Sequence, residues 1–159
     1  MSNAADNRPD RTKAIPDKLH RMLFVAIAAL AAAGIAVSGL SLQRHYAKSA
    51  TSFCELGEKF DCDVVNRSEY SSVMGIPVAG IGVVGYGVLL VLSWRCRSLA
   101  ESPAWLLVVA AAGLAFALYL TYVEAYVLGT WCVLCLGSLG LIATITGLAA
   151  AARFRPETG

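Results

Sequence analysis

Residues 125–152 read AYVLGTWCVLCLGSLGLIATITGLAAAA, and no charged side chain interrupts them. About 20 predominantly apolar residues in helical form cross the hydrocarbon core of a bilayer. This run is longer than that, and three other charge-free runs of at least that length occur at residues 22–43, 70–94 and 102–123. The chain has 159 residues, 57% of them hydrophobic and 15% charged, whereas a soluble domain carries about a quarter charged residues. The expected fold is an all-α integral membrane protein, a four-transmembrane-helix bundle with helices at about 19–42, 76–94, 104–126 and 131–152. Residues 43–75 form a long outer loop between the first two helices. Residues 1–18 and 153–159 are tails, and the opening Met1-Ser2-Asn3-Ala4 has the look of a tag scar. The partner this composition implies is membrane lipid. Nucleic acid is not expected, because no basic stripe carries interleaved aromatics.

Working outward, Gly129-Thr130 makes a short turn before the last helix, and Tyr119, Tyr122 and Tyr126 stand near the end of the third. Pro77 falls in the first turn of the second helix, where its missing N–H would have been unpaired in any case. Gly80, Gly82, Gly85 and Gly87 thin one side of that helix, which in lipid usually signals close helix packing. Gly34 and Ser38 in the first helix have the same small-x-x-x-small spacing. Within the loop, Asp63 to Met74 is expected to form a short surface helix capped by Asp63. Arg95-Cys96-Arg97 through Pro103 is expected to be a basic turn.

An even number of helices puts both termini on one side. That side collects Arg8, Arg11, Lys13, Lys18 and Arg21, then Arg95 and Arg97, then Arg153 and Arg155. The other side has Arg44, Lys48, Lys59 and Arg67, offset by Glu55, Glu58, Asp61, Asp63 and Glu69. The positive-inside rule places both termini in the cytoplasm. Cys54, Cys62, Cys132 and Cys135 then fall outside, where disulfides persist, and Cys96 alone falls inside.

Cys132 and Cys135 are three residues apart at the start of a helix. Such a pair lies on one helix face, close enough to form a disulfide or share a metal. Unpaired backbone N–H groups and the macrodipole at a helix N-terminus favour thiolate there. A bridge so short closes too small a loop to stabilise much, which favours a redox-active pair over a structural one. Cys54 and Cys62 also read as a loop staple. Zinc held by four cysteines fits poorly, since paired Cys-x2-Cys knuckles are the usual spacing and no histidine accompanies these ligands; no metal is expected. Cys96 reads as a small apolar bystander. Glu124, the one acid between two apolar runs, is either a rim residue reaching headgroup water or a proton acceptor or polar contact beside Cys132. The tyrosines and Trp131 read as an interfacial belt from which one, Tyr122, could stack on a ligand.

Taken in order, the parts resemble the vitamin K epoxide reductase family, in particular its bacterial members. The likeness rests on the loop pair Cys54 and Cys62, on Asn66-Arg67-Ser68-Glu69-Tyr70-Ser71, and on Gly75-Ile76-Pro77-Val78 opening the second helix. It continues in Tyr119-Leu120-Thr121-Tyr122-Val123-Glu124 and in Trp131-Cys132-Val133-Leu134-Cys135. The resemblance implies a thiol oxidoreductase of the bacterial inner (cytoplasmic) membrane, with four helices around a quinone, ubiquinone or menaquinone. It makes Cys132 and Cys135 the active-site pair, with Cys135 nearer the quinone and Ser68 a polar contact there. It makes Cys62 the residue that exchanges disulfides with Cys132, and Cys54 the one that meets the external thiol partner. Many bacterial members carry a fused thioredoxin-like domain. None follows here, so a separate DsbA-like thioredoxin-fold protein is the expected electron donor. Leu139 stands where vertebrate members have tyrosine, which favours disulfide generation over epoxide reduction.

The expected activity is therefore quinone-dependent disulfide generation. One alternative is a DsbB-type oxidase, in which the order of the two cysteine pairs is reversed. The other is a non-enzymatic membrane protein stapled by disulfides.

Overall fold

The structure, a computed structural model, describes residues 11–46, 65, 68–73, 75–99 and 104–154. Four long helices account for most of them: α1 (Arg11–Tyr46), α2 (Val78–Leu99), α3 (Ala104–Val123) and α4 (Val133–Phe154). Four stretches are long and apolar enough to cross a membrane: Lys18–Tyr46, Val78–Cys96, Ala104–Leu128 (α3 with the turn that follows it) and Val133–Phe154. Val84, Val91, Val108 and Leu118 turn outward. Such a surface suits lipid, which satisfies apolar side chains as well as a protein interior does. Exposed aromatics collect at both ends, Trp94 and Trp105 toward one and Tyr119, Tyr122 and Tyr126 toward the other, as amphipathic rings do at the two bilayer interfaces.

The helices pack most closely where the side chains are smallest. A Cβ at Gly34 of α1 would run into the ring of Tyr86 from α2, and one at Gly82 would lie 2.7 Å from Ser38 Oγ. These contacts make α1 and α2 the tightest pair. α4 packs on both α1 and α3, whereas α2 and α3 only graze each other. Of the four α2 glycines, Gly82 alone serves close packing. Gly80, Gly85 and Gly87 have open space where a side chain would be, so the packing expected of that stripe holds at one position.

The main core is at the end of the bundle that bears the chain termini. Phe24, Ile27, Leu89, Leu106, Ile145 and Ala149 are buried there together with Cys96. Burial of Cys96 explains why α2 continues through Arg95-Cys96-Arg97 to Leu99, past the end expected at residue 94. A positive charge such as that of Arg95 near a helix C-terminus suits the macrodipole. The other helix limits also differ from expectation. α1 extends from Arg11 to Tyr46, α2 begins after Pro77, and α4 begins after Cys132.

Between α1 and α2, Cys54, Cys62, Asp63, Asn66, Arg67 and Met74 lie outside the described residues. No single helix continues toward Met74. Glu69–Ser71 is a 3-10 turn, followed by strands β1 (Ser72–Val73) and β2 (Ile76–Pro77), paired Ser72 with Pro77 and Val73 with Ile76. The two-residue turn uses Gly75 at φ 82°, a conformation that only glycine adopts without steric cost. This tiny hairpin feeds the chain straight into α2.

Candidate functional site

α3 does not end as a regular helix. After Val123 the chain widens into a π-helical turn, Glu124–Leu128, and stops at Gly129, which is left-handed at φ 63°. A π-turn inserts one extra residue per turn and is common at functional sites. Here it coincides with burial of an acid in a membrane span. Glu124 is 2% exposed. Its Oε2 accepts the Cys132 backbone N–H at 3.2 Å, across the short connection to α4.

Cys132 is the N-cap of α4, not a residue within it. Its carbonyl accepts Leu136 N–H at 3.0 Å, the first bond of the helix. Its Sγ accepts Cys135 N–H at 3.3 Å, the position a serine or aspartate cap oxygen usually fills. A backbone N–H aimed at sulfur at a helix start is an arrangement that favours negative charge there. Cys132 is fully buried against Val65, Leu128 and Leu134. Cys135 is a free thiol, half-buried. The two sulfurs and a Glu124 oxygen all lie within 4.8 Å of one another.

Cys135 and Glu124 line a cavity of about 360 Å³ that reaches into the bundle beside them. Its walls are mainly apolar and thin, with Gly82 and Gly85 from α2 and Ala112, Gly113, Phe116 and Ala117 from α3. It occupies the space where α2 and α3 only graze each other. Ser68 lines the mouth, with its Oγ donating to Val65 O at 2.8 Å while Ser68 O accepts the Ser71 hydroxyl at 2.7 Å. Deeper in, Tyr86 donates to the Ser138 carbonyl at 2.9 Å and lies equally close to Ser138 Oγ. Volume, apolar walls and a few convergent polar groups are the ordinary makings of a small-molecule site. A planar, lipid-soluble quinone fits such a space, and Cys135, Glu124 and Ser68 all line it.

Of the residues singled out in the sequence, Cys132, Cys135, Glu124 and Ser68 therefore come together. Tyr122 does not join them. It is 58% exposed and packs on Tyr126, ring centroids 4.8 Å apart, because Tyr119, Tyr122 and Tyr126 share the helix face opposite Glu124. Tyr86, Tyr70 and His45 line the cavity instead. No sequence signal singled out Tyr86, because which helix face meets the cavity depends on how the helices pack.

The sequence pattern of the vitamin K epoxide reductase family matches residues 25–150, a stretch that takes in all four membrane spans except their outermost turns. No curated protein matches the chain.

Proposed function

Because the chain belongs to the vitamin K epoxide reductase family, and so to a group of quinone-linked membrane thiol oxidoreductases, we propose that it generates disulfides for exported proteins. Electrons enter from a separate thioredoxin-fold protein at Cys54 and Cys62, pass to Cys132 and Cys135, and leave to ubiquinone or menaquinone. Both termini lie in the cytoplasm, and both cysteine pairs work on the outer face of the inner membrane. The observation that carries this reading is the free thiol of Cys135 at an apolar cavity, with Cys132 and Glu124 beside it.

The residues divide the work. A Cys62 thiolate attacks the Cys132 sulfur of the Cys132–Cys135 disulfide; the bond to Cys135 breaks and a mixed disulfide forms. Cys54 then attacks Cys62, which closes the Cys54–Cys62 disulfide and leaves the inner pair reduced. A bound quinone supplies the two-electron, two-proton acceptor that restores the inner disulfide. Glu124 takes the Cys135 thiol proton on its carboxylate and keeps the start of α4 in place through the Cys132 N–H. Ser68 and the cavity walls orient the acceptor and exclude water. Fixing reactants in this way contributes several kcal/mol to the rate.

The direct test mixes purified protein, a reduced thioredoxin-fold partner and quinone without oxygen, and follows quinone absorbance. Turnover is expected, with oxidised partner forming in equal amount. Absence of quinone reduction with every partner and quinone tried would defeat the reading.

A further inference from the structure

The same three side chains form a second kind of site. We propose that the reduced protein binds one thiophilic divalent cation, of the zinc or cadmium type, through Cys132 Sγ, Cys135 Sγ and the Glu124 carboxylate. The three donor atoms lie within 4.8 Å of one another. Tetrahedral zinc with bonds of about 2.3 Å to sulfur and about 2.0 Å to oxygen needs ligand atoms roughly 3.5 to 3.8 Å apart, so the donors close on an ion by at most a little over 1 Å. The Glu124 Oε1 atom is buried and has no hydrogen-bond partner. Buried polar atoms almost always have one, and a cation is a partner this pocket can supply. Glu124 and Cys135 open onto the cavity, which leaves room for water as the fourth ligand. Two sulfurs and one carboxylate suit a borderline-soft ion, whereas magnesium or calcium prefers all-oxygen sets.

The chemistry follows from the ligands. Binding displaces the Cys132 and Cys135 thiol protons to solvent, and no electron moves. An inner disulfide has no thiolates to offer, so the oxidised form does not hold the ion. Cation binding and inner-disulfide formation therefore exclude each other. Where the proposed electron route operates, a bound cation blocks it at the reduced stage. The binding itself is independent of that route.

The test uses the full chain in detergent, reduced, desalted and titrated with Cd2+ alone while the ultraviolet sulfur-to-metal absorption is followed. No quinone or partner protein is present, so the outcome does not depend on the proposed activity. One Cd2+ per chain is expected, with none after oxidation. Binding should survive in the C54S/C62S/C96S background, where Cys132 and Cys135 are the remaining cysteines, and disappear when C135S is added. Losing even an outer partner of a metal ligand costs about 10–100-fold in affinity, so E124Q in that background should weaken binding at least tenfold. X-ray absorption of the unsubstituted chain with one equivalent of Zn2+ needs no variant and should report two sulfur neighbours with oxygen completing the shell. Four sulfurs, loss of binding in the C54S/C62S/C96S chain, or an unchanged affinity in E124Q would each overturn the proposal.

Discussion

The end of the bundle that bears the termini and the end that bears Cys132 are built from the same four helices, yet one is solid and the other hollow. At the first, Phe24, Ile27, Leu106 and Ile145 close on one another with almost no exposed surface. At the second, Ser38, Ser68, Tyr86, Glu124 and Cys135 surround a cavity. In lipid, helices gain nothing from hiding apolar surface from water, so close packing must hold them together. The hollow end can exist because the solid core, together with the Gly34–Tyr86 and Ser38–Gly82 contacts between α1 and α2, fixes the helix axes. Stability and chemistry are thus concentrated in different places along the same helices.

That separation can be broken by substitution. The largest effect is expected from C135S, which removes the thiol facing the cavity. Quinone reduction should fall about 10³-fold or more, as when other covalent nucleophiles are lost, while thermal unfolding in detergent stays within a few degrees of the unsubstituted protein. E124Q comes next, because loss of a positioned proton acceptor costs about 10²–10⁴-fold in turnover. It should lower kcat far more than it alters the KM for quinone. An equal rise in KM would make Glu124 a binding contact instead.

At the solid end the signs reverse. I145A should destabilise the bundle by about 1–3 kcal/mol, toward the low side of core truncations because the unpacked helices remain in lipid. Turnover at low temperature should be retained, and a loss of activity matching C135S would mean that the two ends are not separate. Y86F tests the border between them. Removing its hydroxyl breaks the bond to Ser138 and should cost about 0.5–1 kcal/mol by unfolding measurements. Smallest of all is Y122F, on the lipid face, for which activity and stability should both stay within error.

Much of this was legible in the residues. The four spans were readable because bilayer thickness demands a minimum apolar length, and residues 22–43, 70–94, 102–123 and 125–152 meet it. Ser68, Cys132 and Cys135 were singled out by motif order, and Glu124 by being an acid between apolar runs. Tyr122 lies on the exposed face while Tyr86 lines the cavity, for a physical reason. Sequence places a tyrosine on a helix, but which face meets a cavity depends on how that helix is rotated against its neighbours. The same holds for the α2 glycines, of which only Gly82 meets another helix.

By itself, then, the sequence determined that the chain crosses a membrane four times and carries a paired thiol at the start of its last helix. These are properties of local composition and spacing, set by the bilayer and by helix geometry. The tertiary structure alone decided that Glu124 turns inward. That depends on a π-turn and on a hydrogen bond to Cys132 N–H eight residues away. It alone decided that a cavity opens beside Cys135, because the gap between α2 and α3 is what remains after α1 has packed tightly on α2 and α4 on α3.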